Sequence, residues 1–292
     1  MPQADPIIAK LMSPGAPFEV VPQAVGGRNL RVFKNAPECL TDVFETARGF
    51  GSLEFIVSGE RRLTYDEFFA KSDQFAAWLA KEKNITPGQS VAICMKNSPE
   101  WMIAFVGIVY SGAVAVLVNS RGTGQTMLQA VQDTDCQIVL ADARRRDQLI
   151  DANCDLPFIM SEEICARPNP QPAPYVQRGA DDAAAMFFTS GTTGTAKAAV
   201  TSNRALVTGT MNTQMAMMAI FQKMAAVYNM DVETLRAQMP QSCSLLIFPL
   251  FHTSGCASVF LSTFMSGGKL VLMERWNPDI AMQLIEKERV SI

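Results

Sequence analysis

Residues 186–200 place a polar loop between two apolar segments. The loop itself, residues 190–197, contains four hydroxyl side chains, two glycines and Lys197. Glycines let main-chain N–H groups approach an anion closely, hydroxyls donate neutral hydrogen bonds, and a lysine adds a point charge. This composition predicts a site for a polyphosphate. The alternative is an ordinary Ser/Thr/Gly turn with a lysine at the surface.

The spacing of this loop differs from that of the P-loop nucleoside triphosphatases. Their motif needs G-x-x-x-x-G-K-[ST], whereas Gly191, Gly194 and Lys197 are each three residues apart. A phosphoryl-transfer enzyme that uses the same loop is therefore a weaker hypothesis. It would also need an aspartate on a nearby strand to hold Mg²⁺, and the sequence offers none there.

A second candidate for chemistry is His252, the only histidine in the chain. It lies within residues 248–255, Phe-Pro-Leu-Phe-His-Thr-Ser-Gly. Histidine can donate, accept or transfer a proton near neutral pH. A single histidine after an aromatic residue is also typical of a packed side chain whose hydrogen bonds are satisfied, so the pattern alone leaves both roles open.

The elements that must position these residues follow from apolar periodicity and turn signals. Strand, helix and strand alternate at a spacing that predicts βαβ units and a parallel sheet. A hairpin with Gly59 in its turn precedes this series. The predicted strands are residues 53–57, 61–64, 91–95, 113–118 and 136–140, and the predicted helices follow Thr64, begin near Trp101 and cover 126–133.

Local end signals support these helices. Thr64 with Glu67 has the spacing of a capping box. Ser98 is placed to cap the next helix, with Pro99 in its first turn, and Gly112 is placed to end it. Each helix is thus predicted from its own termini as well as from its apolar face.

Residues 101–118 carry no charge and reach the lower length of a membrane span. Ser111 and Gly112 interrupt the segment, and the part after them is rich in β-branched residues. We therefore predict a buried helix followed by a buried strand, and no membrane span.

Composition excludes other classes of function. The chain has 292 residues, enough for one large domain or two ordinary ones, and a net charge of −3. No basic footprint suggests nucleic-acid binding. The cluster Arg144–Arg146 has acidic neighbours and is interpreted as a solvated helix face, with a phosphate patch as the alternative. The seven cysteines include no C-x-x-C pair, which predicts reduced thiols and a cytoplasmic protein.

The chain is predicted to contain two α/β subdomains. The first is 1–166, with a Pro- and Gly-rich irregular arm over residues 1–37. A proline-rich linker covers 167–182, and the second subdomain, 183–292, carries the phosphate loop. Residues 290–292 have the pattern of a strand that begins where the sequence stops. This predicts that the sequence is part of a longer one.

Methionines are concentrated between Met211 and Met239, where seven of the 17 lie. Met211, Met215 and Met218 follow helical spacing, which favours a core helix. The alternative is a pliable wall for an apolar acyl or aryl group.

The segment Phe188–Lys197, FTSGTTGTAK, resembles the phosphate-loop signature of the adenylate-forming (AMP-binding) enzymes, which include acyl-CoA ligases, luciferases and nonribosomal adenylation domains. Further segments resemble the same family in order, and together they cover most of the chain. They are Leu63–Tyr65, Pro87–Ile93, Asn97–Glu100, Ser111–Ala113, Asn119–Arg121 and Phe248–Gly255.

The resemblance implies a fold, a site and a reaction. The fold would be layered α/β sheets with flanking helices, the N-terminal region of the adenylate-forming fold, truncated before its C-terminal domain. The reaction would join a carboxylic acid to CoA at the expense of ATP, with Mg²⁺. His252 would lie where the substrate carboxylate meets the α-phosphate, and Thr192 or Thr193 would touch Mg²⁺. The residues implied for binding the β- and γ-phosphates are Thr189, Ser190, Gly191, Thr192, Thr193, Gly194, Thr195 and Lys197.

The implied partners are a carboxylic acid (fatty, aryl or steroid side-chain) and a second copy of the chain in a homodimer. Two residues depart from the family pattern: Ala196 replaces the usual proline and Ala198 the usual glycine. Alanine suits position 198 only if its φ is negative.

The family's later motifs, a Mg²⁺-binding glutamate, a ribose-binding aspartate and a catalytic lysine, have no counterpart before Ile292. We therefore expect the isolated chain to be catalytically incomplete. The alternative is a naturally short module that binds a nucleotide or acyl group without turnover, or that pairs with a separate C-terminal chain.

Overall fold

A computed structural model describes residues 5–166, 172, 174, 176–189, 196–273 and 275–292. Its strands are Val20–Val25 (β1), Arg28–Phe33 (β2), Glu54–Ser58 (β3), Arg61–Thr64 (β4), Ser90–Cys94 (β5), Val114–Leu117 (β6), Cys136–Ala141 (β7), Phe158–Met160 (β8), Ala183–Thr189 (β9), Lys197–Ser202 (β10), Cys243–Leu246 (β11) and Lys269–Leu272 (β12). Its α-helices are Pro6–Leu11 (α1), Leu40–Ala47 (α2), Tyr65–Lys81 (α3), Pro99–Tyr110 (α4), Gly124–Asp133 (α5), Ala143–Asp151 (α6), Ser161–Ile164 (α7), Asn203–Tyr228 (α8), Val232–Gln238 (α9), Ser262–Met265 (α10) and Pro278–Glu288 (α11).

The larger sheet has six strands in the order β10-β9-β6-β5-β7-β8. All neighbours in it are parallel except β10, which pairs antiparallel with β9 at one edge. The parallel sheet built from βαβ units is therefore confirmed. Alternate residues of β5 pack into two different cores, Val91 and Ile93 on one side and Ala92 and Cys94 on the other. Both faces are covered, as parallel sheets require.

The smaller sheet has four strands in the order β11-β12-β3-β4. Strands β11, β12 and β3 are parallel, and the predicted hairpin adds β4 antiparallel to β3. After α11, the chain runs beside β11. The Ser291 N–H donates to Cys243 O at 2.8 Å, and the Leu245 N–H donates to Ile292 O at 3.1 Å. Residues 291–292 thus pair with β11 through their main chains, although the predicted strand at 290–292 is not among the strands of the structure.

The core between the sheets is aromatic and holds helices α3 and α4. Phe55 of β3 stacks on Tyr65 at a centroid distance of 4.4 Å, and Phe264 of α10 contacts both rings. The Tyr65 hydroxyl donates to main-chain carbonyls next to α10, at 2.9 Å for Gly268 O. All residues of α4 except Glu100 are buried. The uncharged segment 101–118 is therefore the predicted buried helix, α4, and buried strand, β6.

The helix ends follow their local signals. Thr64 accepts from the Glu67 N–H and Glu67 accepts from the Thr64 N–H, which completes the capping box. Ser98 caps α4 through the Trp101 N–H, and Gly112 follows α4 with φ +77°. No helix in the described part of the chain has both the length and the apolar character needed to cross a bilayer.

The prediction of an irregular arm over residues 1–37 is wrong for its described part. It contains α1 and the β1–β2 hairpin. The hairpin turn is Gly26–Gly27, with φ +53° and +76°. Two positive φ values give the tight turn that matches strand twist, and glycine adopts them without strain. The glycines that suggested irregular chain are those that make the hairpin.

The methionine-rich segment forms helix α8. Met211 is buried, and Met215 and Met218 pack against the main core. The core-helix interpretation is therefore confirmed for these three.

Both sheets take strands from either side of residues 167–182. The larger sheet joins β9 and β10 to β5–β8, and the smaller joins β11 and β12 to β3 and β4. Most of the predicted linker lies outside the described residues. The division into subdomains 1–166 and 183–292 stays a prediction.

Candidate active site

The carboxyl ends of β5, β6, β7 and β8 in the larger sheet, and of β11 and β12 in the smaller sheet, border one groove of about 630 Å³. Within the larger sheet, β5 is followed by β6 on one side of it, while β7 is followed by β8 on the other. The connections after β5 and β7 therefore diverge, and such a switch point opens a crevice at the carboxyl edge of a sheet. The smaller sheet contributes Leu246, Ile247 and Met273 to the same groove.

Asp142 organises the floor of this groove. One carboxylate oxygen caps α6 through the Arg145 N–H, and the other accepts from the Lys96 N–H at 2.9 Å. The Arg145 guanidinium donates to Asp142 and, through Nε, to Ser120 O at 2.9 Å. One ion pair thus ties together the carboxyl ends of β5, β6 and β7.

Basic side chains outnumber acidic ones along the described lining. The basic residues are Lys96, Arg121, Arg144, Arg145 and Arg275, and the acidic ones are Asp142 and Glu162. The interpretation of Arg144–Arg146 as a solvated helix face holds for Arg146, which pairs with Asp147 at 2.7 Å. Arg144 is exposed as well, and it also lines the groove together with the half-buried Arg145. The lining suits an anionic ligand.

His252 lies in the loop that follows β11. Its side chain is exposed, and its main-chain N–H donates to Pro249 O at 3.1 Å. The ring Nδ1 lies 2.9 Å from Ser254 Oγ and accepts from the Ser254 main-chain N–H at 3.3 Å. A main-chain N–H can only donate, so Nδ1 carries the lone pair. In the neutral ring the proton therefore sits on Nε2, where it can be donated to a ligand oxygen.

Gly255 makes the tight form of this loop possible. A Cβ at this position would lie 2.0 Å from Pro249 O, closer than any side-chain carbon can approach a carbonyl oxygen. The turn at Pro249 and the π-helical segment Ser254–Leu261 therefore touch through a residue without a side chain.

The predicted phosphate loop joins β9 to β10. Its described ends, Thr189 and Lys197, are opposite each other in the antiparallel pair, and both are exposed. They lie at the carboxyl end of β9, two strands from β5 and roughly 10 Å from it at the usual strand spacing. The edge that carries the groove and the His252 loop therefore also carries these two residues. The residues predicted to form the centre of the loop, Ser190, Gly191, Thr192, Thr193, Gly194 and Thr195, lie outside the described residues.

Ala198 is compatible with its position. It lies in β10, paired with Phe188, and is absent from the residues with positive φ. The condition for replacing the family's usual glycine is therefore met.

Sequence reasoning missed the residues that shape the His252 loop. Asn97 was noted only within a segment next to a helix start, yet its side chain bonds the main chain of Phe248 and Leu250. These partners lie more than 150 positions away, so no local pattern shows them. Gly255 offered a signal, since a glycine three residues after a candidate histidine can indicate close packing.

Comparison with known proteins assigns the family. The sequence model of the AMP-binding enzyme family matches residues 43–292. 4-Coumarate–CoA ligase 2 of Nicotiana tabacum is 24% identical over 263 residues, covering 85% of this chain and 45% of that protein. The medium/long-chain-fatty-acid–CoA ligase FadD6 of Mycobacterium tuberculosis is 25% identical over 250 residues, covering 82% of this chain and 38% of that protein. The chain thus spans less than half the length of these curated relatives.

Solved structures agree on the fold. The N-terminal domain of FACL13 from Mycobacterium tuberculosis superposes with a TM-score of 0.71 at 23% identity, covering 87% of this chain and 62% of that one. The o-succinylbenzoate CoA synthetase of Bacillus subtilis, solved with its acyl-adenylate intermediate, gives a TM-score of 0.66 at 21% identity. The predicted fold, the N-terminal α/β region of the adenylate-forming enzymes, is confirmed, and the chain belongs to the AMP-binding enzyme family.

Proposed function

We propose that this chain is the N-terminal portion of an ATP-dependent carboxylate–CoA ligase. The observation that supports this most directly is that three features of the site share one edge of the fold. The ends of the phosphate loop, the basic groove and His252 all lie at the carboxyl ends of the strands. A reaction between two anions, a carboxylate and a triphosphate, needs such a concentration of donors and positive charge.

The proposed roles follow the family pattern. Thr189, Ser190, Gly191, Thr192, Thr193, Gly194, Thr195 and Lys197 would hold the β- and γ-phosphates of ATP. Thr189 and Lys197, exposed at the end of β9 and the start of β10, are chemically suited to phosphate oxygens. Thr192 would bind Mg²⁺, which neutralises charge on the phosphates when it is bound.

His252 would act at the reacting carboxylate. With Nδ1 accepting from Ser254, Nε2–H is the ring's donor, and it would hold a carboxylate or α-phosphate oxygen in place. A carboxylate oxygen forms a bond to the α-phosphorus while the bond from that phosphorus to pyrophosphate breaks. The CoA sulfur then bonds to the acyl carbon as its thiol proton leaves, and AMP departs with the electrons of the former acyl–oxygen bond.

The test of the phosphate role is Lys197→Ala. We expect ATP affinity to fall by about tenfold or more, because a charge-assisted contact to phosphate is lost at the end of an otherwise unchanged strand. Calorimetric titration of Mg·ATP measures this change. Lys10→Ala on α1, another exposed lysine, is the matched control. Unchanged affinity in Lys197→Ala, with normal folding, would remove the phosphate site from the proposal.

The alternative function is that of a nucleotide- or acyl-binding module without turnover. A binding module without turnover would bind ATP through the same loop but release no pyrophosphate with any carboxylic acid. Pyrophosphate release by the full-length protein, measured over a panel of fatty, aryl and steroid side-chain acids, separates the two functions. The acid substrate, the homodimer and the cytoplasmic location stay predictions.

A further inference from the structure

Asn97 joins the two sheets at their carboxyl edges. It lies between the end of β5 and Ser98, the cap of α4. Its Nδ2 donates to Phe248 O at 2.9 Å, and its Oδ1 accepts from the Leu250 N–H at 2.9 Å. The side-chain amide therefore pairs with residues i and i+2 of the loop after β11, as the peptide group of a neighbouring strand would.

This pairing needs an amide. Phe248 O requires a donor, and the Leu250 N–H requires an acceptor. Aspartate has the same shape but offers only acceptors, so it would face Phe248 O with a negative charge. Alanine offers neither partner. Position 97 therefore requires both a donor and an acceptor. Substitution by aspartate removes only the donor, and substitution by alanine removes both.

The contacts continue from Asn97 to His252. Pro249 lies between the two bonded residues, and its carbonyl accepts from the His252 N–H. Gly255 packs against the same carbonyl from the other side. A displacement of residues 248–250 would therefore displace His252. Asn97 itself is fixed, because β5 precedes it and the Ser98 cap of α4 follows it.

We propose that Asn97 is a positioning residue, which sets the place of His252 relative to Thr189 and Lys197, the described ends of the phosphate loop. The loop belongs to the larger sheet through β9, whereas His252 follows β11 of the smaller sheet. The two side-chain hydrogen bonds of Asn97 connect the end of β5 in the larger sheet to the loop that follows β11 of the smaller sheet. This inference rests on the proposed function, in which both groups act on one substrate. A misplacement of about 1 Å in such a site can cost on the order of 100-fold in rate.

The sole histidine gives a specific readout on the chain as it stands. The ring resonances of His252 in NMR spectra report its surroundings directly, and hydrogen exchange reports the Leu250 amide. The variants are Asn97→Asp and Asn97→Ala. The matched control is Asn119→Asp, at the carboxyl end of β6, because among the described residues Asn119 bonds only through its oxygen, as acceptor from the Arg121 N–H. Aspartate at 119 keeps that bond and makes the same change of charge.

We expect Asn97→Asp to shift and broaden the His252 resonances, and Asn119→Asp to leave them as in the wild type. Asn97→Ala should raise Leu250 amide exchange by about tenfold, while Asn97→Asp keeps an acceptor and retains most of the protection. On titration with Mg·ATP, Asn97→Ala, which adds no charge to the groove that Asn97 lines, should bind within about twofold of wild-type affinity but lose the ATP-induced change at His252, which wild type shows.

Several results would overturn the proposal. One is an Asn97→Asp variant whose His252 resonances match those of the wild type, or an Asn97→Ala variant whose ATP response does. Another is loss of the whole fold in both Asn97 variants, which would make the residue structural. If wild type itself does not bind ATP, the proposed function fails. The His252 resonances and Leu250 exchange of the unliganded variants still decide whether Asn97 positions the loop.

Discussion

At the scale of single residues, the hydrogen bonds of His252 decide what it can do. Its Nδ1 faces the main-chain N–H and hydroxyl of Ser254, both two residues along the chain. The exposed nitrogen is then Nε2, which carries the proton in the neutral ring. A neutral donor suits a site that must bring a carboxylate and a phosphate together, since it stabilises oxygen without abstracting a proton from the substrate.

The tautomer is a direct prediction. In the neutral state, ¹⁵N-correlated NMR of the single histidine should show Nε2 protonated and Nδ1 unprotonated. Ser254→Ala should keep this tautomer, because the main-chain N–H still donates to Nδ1, but it should loosen the ring and broaden its signals. Thr253→Ala, next to it and without a ring contact in the described structure, is the control. A proton found on Nδ1 would contradict the assignment.

At the scale of elements, the loop after β11 is built around one close approach. The Pro249 carbonyl receives the His252 N–H and lies against Gly255, where no side chain fits. The start of the following helical segment is therefore held close to the end of β11. Glycine is needed here because of the close packing and not because of its backbone conformation, since Gly255 has no positive φ.

Gly255→Ala should destabilise the chain and disturb His252. The added carbon would overlap Pro249 O, and overpacking of this kind costs about 1–3 kcal/mol. Gly209→Ala is the control, for which we expect a change in stability of the opposite sign. Gly209 is exposed in α8 with no atom within 4 Å of the added carbon, so alanine should stabilise by roughly 0.5–1 kcal/mol. Urea unfolding of both variants measures the difference. Equal stability for the two would show that the loop can relax around Gly255.

Sequence predicts these elements where the signal is local. The capping box at Thr64, the cap at Ser98 and the stop at Gly112 each need only a few neighbouring residues, and all three are confirmed. Candidate site residues came from composition and resemblance. The basic groove and the role of Asn97 could not be predicted, because they depend on strand order and on partners far along the chain. Gly26–Gly27 did carry a hairpin signal, which the surrounding prolines and glycines obscured.

At the scale of the whole molecule, a buried charge network fastens α11 to the smaller sheet. Glu288, 4% exposed, accepts from Arg62 of β4 at 2.5 Å and from Lys269 of β12 at 2.8 Å. Glu54 of β3 also pairs with both cations. Burial alone would raise the pKa of Glu288, but the hydrogen bonds from Arg62 and Lys269 outweigh it and lower the pKa below its ordinary value of 4.5. The ionised form is therefore the one that the fold stabilises.

Glu288→Gln should reduce stability in a pH-dependent way. A carboxyl whose pKa is lower in the folded state contributes stability above its unfolded pKa, and this is lost as the pH falls through the folded value. At pH 7 the variant should be less stable by about 1–3 kcal/mol, because Arg62 and Lys269 lose the charge of the more buried of their two carboxylate partners. Below pH 4.5 the difference from wild type should shrink, because the carboxyl is protonated first in the unfolded chain and at lower pH in the folded protein. Denaturant unfolding at a series of pH values measures this difference, with Glu60→Gln, in the exposed turn after β3, as the control. A gap that stayed constant down to acid pH would mean that Glu288 stabilises α11 by packing and hydrogen bonding, with no contribution from its charge.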